Sequence, residues 1–260
     1  MIKIAFFDID GTLIDYGSKP MTRKISYTLA ELRRKGIKLC IATGRSPLTL
    51  PHFPGVEFDI CMTFNGSYCT YGEKVIHSCY IAKEDVKTIV ANAEKMGHGV
   101  IAESPTCNLA NFADEGIKRY CEYTKNNVAV ADDFEAICDA DICALTIGIE
   151  EHEHRAVLED ASNAKLSVWW DKAVDVIPSD CDKGVAVSKI LEYFGYDKSE
   201  AIAFGDADND IELLKSVGHG IAMENGTANI KAVATEICPC VSDDGIYEFF
   251  VKRGIIDEIE

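Results

Sequence analysis

The chain has 260 residues, which is enough for one large domain or two smaller ones, and its content of 47% hydrophobic and 27% charged residues is typical of globular proteins. Because 26 Lys and Arg face 43 Asp and Glu, the formal net charge is −17. Such a surface repels nucleic acids and anionic membranes, and it accepts a phosphorylated ligand only where bound metal or clustered cations reverse the local field. We therefore expect neither a nucleic acid nor a membrane as partner.

The cysteines and the first residues indicate a cytoplasmic location. The chain begins directly with a strand-like segment, without a signal-type leader or an apolar run of membrane-spanning length. The 11 cysteines are odd in number, and many lie in apolar runs, as reduced thiols do. Cys238 and Cys240, like His152 and His154, lack a second pair at zinc-site spacing, so we do not predict structural zinc.

The first part of the chain alternates apolar strands with an amphipathic helix. A strand over residues 3–7 is followed by a helix over 21–35, which Thr22 can cap, and by a strand over 37–42. Strand, helix and strand in this order predict a βαβ unit of a parallel sheet. A third strand over 58–64 and a hairpin within 67–81 follow.

The pattern changes near residue 83 and returns near residue 181. Within this insert we predict helices over 84–96, 113–123 and 151–160 and strands over 99–103, 143–149, 166–170 and 174–177. After it come a helix over 183–194, strands over 201–204 and 218–223, and helices over 228–234 and 245–253. The fold class is thus α/β: a parallel-sheet core from residues 1–82 and 181–260, with an inserted α+β cap over 83–180. The oligomeric state is not predicted.

Polar side chains follow the predicted core strands where ligands bind in open α/β sheets. Asp8 and Asp10 follow the first strand, and two residues so spaced on extended backbone project to the same side. Two such carboxylates are tolerable if a cation lies between them or one holds a proton. The alternative is a solvated Asp-x-Asp-Gly turn.

Two further strand ends and one helix start carry similar groups. Thr43, Gly44 and Arg45 follow the second strand, Asp206 to Asp210 follow a late strand, and Lys183 opens a helix. Carboxylates from separate strand ends suit Mg²⁺, while lysine, hydroxyl and amide groups suit a phosphoryl group. A calcium loop is excluded at 206–217, because Ile211 stands where glycine is required, and no nucleotide P-loop motif is present.

These motifs, in this order, resemble those of the haloacid dehalogenase superfamily phosphatases. The matching segments are Asp8-Ile9-Asp10-Gly11-Thr12, Thr43-Gly44-Arg45, Asp182-Lys183-Gly184 and Gly205-Asp206-Ala207-Asp208-Asn209-Asp210. The position and size of the insert resemble the type IIB cap of the Cof-like sugar phosphatases. The resemblance implies a Rossmann-like core and a phosphatase that hydrolyses small phosphorylated metabolites, with sugar phosphates the favoured class.

The same resemblance implies roles for individual residues. Asp8 would be the nucleophile that forms an aspartyl phosphate, and Asp10 the acid and base, with its backbone carbonyl on Mg²⁺. The implied metal residues are Asp8, Asp10, Asp206 and Asp210, the last as ligand or as support. The implied phosphate contacts are Thr43, Gly44, Lys183 and Asn209, where Asn209 orients Lys183 or the phosphate. We expect poor solvation and the Asp8 charge to keep Asp10 protonated.

Several alternatives stay open at this stage. A phosphosugar mutase would use the same aspartyl phosphate, and a phosphate-responsive sensor would use Asp8 alone, although Asp10 favours turnover. Arg45 is either a phosphate or cap–core contact or a surface ion pair, and Asn65 is either a turn residue or a substrate contact. Trp169 and Trp170 are expected to face opposite ways, one into the core and one to the surface, and the alternative is that one of them faces the cleft as a ring on which a sugar stacks.

Overall fold

The computed structural model describes residues 1–15 and 20–259. The strands of this part of the chain are β1 Ile4–Phe7, β2 Lys38–Ala42, β3 Ile60–Thr63, β4 Tyr68–Tyr71, β5 Lys74–Ser78, β6 Val100–Ser104, β7 Cys107–Ala110, β8 Ala129–Val130, β9 Ala144–Ile147, β10 Ala164–Trp170, β11 Ala173–Pro178, β12 Ala201–Gly205, β13 His219–Met223 and β14 Glu236–Cys238. Its α-helices are α1 Arg23–Arg34, α2 Lys83–Met96, α3 Glu115–Thr124, α4 Phe134–Cys138, α5 His154–Val157, α6 Lys183–Phe194, α7 Ile211–Lys215, α8 Ala228–Val233 and α9 Gly245–Lys252.

Eight strands form the larger sheet, in the order β14-β13-β12-β1-β2-β3-β4-β5. The strands from β14 to β3 run parallel, and β4 and β5 add an antiparallel edge. Because side chains alternate along a strand, Phe7 faces the cluster with α1 and α9, and Phe6 faces the cluster with α6 and α7. Helices therefore cover both faces of this sheet, which gives a doubly wound α/β core.

Six strands form the second sheet, in the order β10-β11-β9-β6-β7-β8. One face is apolar and packs on α2, α4 and α5; Val100, Leu145 and Val176 are among its buried residues. Part of the opposite face is covered by α3, through Ile117 and Tyr120. The rest of that opposite face lies towards the larger sheet, and at its edge Phe64 packs against Ile177.

Two short segments connect the sheets: residues 79–82 between β5 and α2, and 179–182 between β11 and α6. The division of the chain into 1–82, 83–180 and 181–260 is our proposal for the domain boundaries. Among the described residues, no helix combines the length and the apolar character that a membrane span requires.

The structure differs from the predicted elements mainly in the second sheet. Strands β7 and β8 and helix α4 were not predicted there, nor was β14 in the core. The helix expected over 151–160 is a 3-10 turn at Glu151–Glu153 followed by the single turn α5, and Asp160 adopts a positive φ of 61° beyond it. Short elements such as these are decided by tertiary packing, which local sequence patterns do not report.

Candidate active site

Neighbouring parallel strands β1 and β12 deliver the acidic cluster. Asp8 follows β1 and Asp206 follows β12, and the register aligns Phe7 with Phe204 just before them. The chain leaves β1 towards β2 on one side, whereas β12 lies on the other, so the two ends flank a topological switch point. One carboxylate oxygen from each of Asp8, Asp206 and Asp210 lies within 4.8 Å of the others, and all three residues are buried.

Lys183 lies against this cluster from the start of α6. Its Nζ donates to Asp8 Oδ1 at 2.8 Å and to Asp210 Oδ1 at 2.5 Å, and its side chain is 0% exposed. Asp182 caps α6 by accepting from the amides of Gly184 and Val185, each at 2.9 Å. The cap fixes where the helix begins and thereby directs the next residue, Lys183, into the cluster.

The charges of the cluster are strongly coupled. Burial raises the pKa of Asp8 well above its ordinary value, as do the Asp210 and Asp206 carboxylates, while Lys183 opposes them. Burial alone lowers the pKa of Lys183, but the Asp210 and Asp8 carboxylates outweigh it and raise that pKa. Three carboxylates around one ammonium leave excess negative charge and oxygen donors only, a donor set that fits a hard divalent cation such as Mg²⁺.

Asp210 is engaged through both oxygens. While Oδ1 accepts from Lys183, Oδ2 accepts from the amides of Asp206 at 3.2 Å and Ala207 at 3.3 Å. The hydroxyl of Thr12 also donates to Asp206 Oδ1 at 3.2 Å. Asp210 therefore orients Lys183 and the loop of Asp206, and its carboxylate also belongs to the cluster that could hold a metal ion.

Asp10 is held in a different environment from the one expected. Its carboxylate forms a two-pronged ion pair with Arg45, at 2.7 Å to Nε and 2.8 Å to Nη2, and its side chain is 32% exposed. The expectation that Asp10 is poorly solvated is wrong, because it lies at the mouth of the site. Arg45 is thus the partner of Asp10 and faces the same cavity.

The expected phosphate contacts follow β2 and β12. Thr43 and Gly44 line the cavity, and Thr43 Oγ1 accepts from the amide of Arg45 at 3.2 Å. Asn209 also lines the cavity, but its Nδ2 donates to Asn65 Oδ1 at 3.0 Å. In this structure Asn209 therefore positions Asn65, whereas Asp210 and Asp8 orient Lys183.

Core and cap enclose one cavity of about 880 Å³, within the usual size of a small-molecule site. The core side includes Asp8, Asp10, Thr43, Gly44, Arg45 and Asn209, and the cap side includes Glu103, Tyr120, Thr146, Trp169 and Asp175. The sequence analysis did not single out Glu103, Thr146 or Asp175. Sequence signals were present: Thr146 and Asp175 are lone polar residues inside otherwise apolar strands, and Glu103 directly follows three apolar residues of its strand.

Asp175 connects the cap to the core. Its carboxylate accepts from Thr146 Oγ1 at 2.9 Å, from Asn65 Nδ2 at 3.1 Å and from the indole of Trp169. Burial nevertheless raises the pKa of Asp175 to about 6. Asn65 thus joins Asn209 of the core to Asp175 of the cap, at a backbone φ of 53° that asparagine tolerates.

The two tryptophans lie on the same side of β10. The ring centroids of Trp169 and Trp170 are 6.0 Å apart, and Tyr123 stacks on Trp170 at 4.2 Å. The expectation of opposite faces is wrong, because the register with β11 shifts between Val168 and Trp170 and breaks the alternation. Trp169 is the one that lines the cavity.

Comparison with known proteins agrees with this geometry. Residues 5–250 match the model of the haloacid dehalogenase-like hydrolase family. The 5-amino-6-(5-phospho-D-ribitylamino)uracil phosphatase YitU of Bacillus subtilis is 28% identical over 256 residues, which cover 93% of this chain and 94% of YitU. The HMP-PP phosphatase of Citrobacter koseri is 26% identical over 251 residues, which cover 89% and 88% of the two chains.

Solved structures of the same superfamily share this fold. A solved structure of a subclass IIB sugar phosphatase of the superfamily superimposes with a TM-score of 0.89 at 29% identity, covering 98% of this chain and 100% of the other. The family match spans both the core motifs and the insert. The chain therefore belongs to the haloacid dehalogenase-like hydrolase family and, within it, to the Cof-like phosphatases with a subclass IIB cap.

Proposed function

We propose that the chain is a Mg²⁺-dependent phosphatase of small phosphorylated metabolites, sugar phosphates foremost, that works through an aspartyl phosphate on Asp8. One observation carries the proposal: Asp8, Asp206, Asp210 and Lys183 converge at the ends of β1 and β12, and Asp10 faces the same cavity. The sugar phosphatase among the structural relatives supports the substrate class. The free state of all eleven cysteines supports a cytoplasmic location.

The acidic cluster supplies the metal residues in this proposal. Asp8 and Asp206 would hold Mg²⁺ with the backbone carbonyl of Asp10, and Asp210 would support them from behind. When bound, the cation would offset negative charge on the phosphoryl oxygens during transfer. Lys183 keeps its ammonium against Asp8 and adds positive charge beside the reacting phosphorus.

The chemistry proceeds in two displacements on phosphorus. In the first, an Asp8 oxygen bonds to phosphorus while the ester P–O bond breaks, and the leaving oxygen takes a proton from Asp10. In the second, water attacks the aspartyl phosphate and gives its proton to Asp10; inorganic phosphate leaves and Asp8 is regenerated. Asp10 donates only in its acid form, so its ion pair with Arg45 has to loosen first. A phosphate dianion beside Arg45 is the group that competes for that guanidinium.

Phosphate release is the decisive measurement. We would assay hexose phosphates and 4-nitrophenyl phosphate in Mg²⁺ and in EDTA, with Asp8→Asn, Asp10→Asn and, as a control for handling, Asp243→Asn at an exposed position. EDTA and Asp8→Asn should each lower the rate by about 10³-fold or more. Asp10→Asn should lower the rate of phosphate release about 10²-fold or more on hexose phosphates. The rate on 4-nitrophenyl phosphate should fall less, because its leaving group needs little acid assistance.

Three outcomes would count against the proposal. Activity that survives EDTA would contradict the requirement for Mg²⁺. Activity that survives Asp8→Asn would contradict the role of Asp8 as nucleophile. Transfer of phosphate between two positions of one sugar, without release, would identify the mutase instead.

A further inference from the structure

The carboxyl of Glu103 lies in the cap wall of the cavity, where the mechanism above gives it no task. On β6, Val100 and Ala102 pack into the apolar cluster against α2, so the alternate residues Ile101 and Glu103 belong to the opposite face. Glu103 lines the same cavity as Asp8. The cap sheet therefore presents Glu103 to whatever the core holds by its phosphate.

The side-chain carboxyl of Glu103 has no hydrogen-bond partner within residues 1–15 and 20–259, although the residue is only 4% exposed. The nearby Asp175 accepts three hydrogen bonds and has no proton of its own to offer once ionised. Burial raises the pKa of Glu103 well above its ordinary value, and the Asp175 charge adds to the effect. A buried carboxyl without a donor lowers stability, and the cavity is the space from which a donor can reach it.

The cavity residues near Glu103 indicate which part of a substrate would fit there. Tyr120 and Trp169 supply aromatic surface in the same cavity, against which the apolar face of a sugar ring can pack. Of the lysine and arginine residues lining the cavity, Arg45 is paired with Asp10 and Lys125 is exposed. Within the described parts of the chain, two acids and no buried cation line the cap end of the cavity, an arrangement that favours hydroxyl or amino donors and disfavours a second anionic group.

We propose that Glu103 is a specificity residue that accepts a hydrogen bond from a hydroxyl or amino group of the leaving group. The enzyme thereby selects neutral or amino-bearing polyol phosphates over esters that end in a carboxylate or a second phosphate. This inference rests on the proposed function, since it assumes that the phosphate lies at Asp8.

The kinetic test compares Glu103→Gln, which keeps an acceptor without the charge, with Glu103→Met, which keeps neither. On glucose 6-phosphate we expect kcat/KM to fall about 10-fold for Glu103→Gln and about 100-fold for Glu103→Met. Hydrolysis of 4-nitrophenyl phosphate, which has no such donor, should change less than about 3-fold. Wild-type protein should prefer glucose 6-phosphate to 6-phosphogluconate, and Glu103→Gln should narrow that preference.

Stability separates recognition from a structural role. Because Glu103 is buried without a donor, Glu103→Gln should raise Tm at pH 7.5 by about 2 °C or more. The matched control is Asp85→Asn, a buried cap acid outside the cavity that accepts from the amide of Asn163 at 2.9 Å. It should lower Tm and leave the substrate preference unchanged.

Binding keeps this test independent of catalysis. Glucose 6-phosphate would be titrated into Asp8→Asn protein with Mg²⁺, with and without Glu103→Met, and we expect Kd to rise about 10-fold or more with the second change. An unchanged Kd, or unchanged kcat/KM in Glu103→Met, overturns the role of Glu103. Absence of phosphate release from every substrate, with the Kd shift intact, would overturn the proposed function and leave this recognition standing.

Discussion

Lys183 illustrates how much of the site depends on one side chain. Its ammonium is the cation that holds the carboxylates of Asp8 and Asp210 together, and none of its side chain reaches solvent. Breaking a buried ion pair by removing one partner is costly, because the remaining charges stay buried without compensation.

We predict that Lys183→Met lowers the free energy of unfolding by about 3–5 kcal/mol in EDTA and abolishes phosphatase activity. The double variant Lys183→Met/Asp210→Asn removes one of the stranded charges and should recover part of that stability without recovering activity. Urea denaturation of both variants provides the comparison. Equal stability of the single and double variants would contradict the cost of leaving Asp210 without its lysine partner.

At the residue scale, the structure also explains Arg45. The sequence leaves open whether Arg45 makes a phosphate or cap–core contact or a surface ion pair. The structure shows an ion pair with Asp10, and because both residues line the cavity the pair is part of the site. Sequence separation of 35 positions conceals such a pair, because only the packing of β2 beside β1 brings the two strand ends together.

At the scale of elements, the cap sheet combines two faces with different tasks. Its apolar face stabilises the cap against α2, α4 and α5, while Glu103, Thr146 and Asp175 place polar groups in the cavity. Alternation along each strand is what allows one sheet to do both. The consequence is that the cap buries acids whose ionisation opposes folding.

We predict that the ionisation of Asp175 lowers the free energy of unfolding of the chain between pH 4 and pH 7. Its pKa rises from 3.8 to about 6 on folding, so the native chain holds a proton there that the unfolded chain has released. The stability from this group is fully present below pH 3.8 and is lost as pH rises through about 6, a change of about 3 kcal/mol.

Urea denaturation at a series of pH values tests this in wild type and Asp175→Asn. The variant should lose less stability between pH 4 and pH 6 than wild type does, whatever its absolute stability. Parallel curves for the two proteins would contradict the raised pKa of Asp175.

At the scale of the whole molecule, the returning linker is packed tightly on the core. Gly66, in the turn after β3, has a φ of 103°, and a Cβ there would lie 2.4 Å from the carbonyl oxygen of Asp182. Asp182 caps α6 and immediately precedes Lys183. The turn that carries Asn65 and the linker that carries Lys183 are therefore in direct backbone contact.

We predict that Gly66→Ala disturbs both stability and activity. Gly36→Ala is the matched control, because Gly36 also has a positive φ, of 82°, but has no atom within 4 Å of the added Cβ. Gly36→Ala should lower the free energy of unfolding by about 1 kcal/mol and leave kcat unchanged. Gly66→Ala should lower the free energy of unfolding by at least about 2 kcal/mol more than Gly36→Ala does. It should also lower kcat, because the linker has to move and Lys183 moves with it. Similar unfolding and activity curves for the two variants would contradict the tight contact.

The family, the core strands and the motif residues could all be predicted from sequence, because those signals are local. A buried parallel strand is a short apolar run, and its functional groups follow it directly, so Asp8, Thr43 and Asp206 could be placed at one sheet edge from pattern alone. The helices α1, α2 and α6 were predictable for the same reason, through their amphipathic spacing and caps.

Tertiary structure alone decided which distant groups meet. The pairing of Arg45 with Asp10 depends on β2 lying beside β1. The link from Asn65 to Asp175 and the place of Glu103 in the cavity depend on the cap lying over the core. The register shift between Val168 and Trp170 likewise depends on the pairing of β10 with β11. Local sequence patterns predict which face of its own element a residue occupies. Long-range packing determines which residue of another element it contacts there.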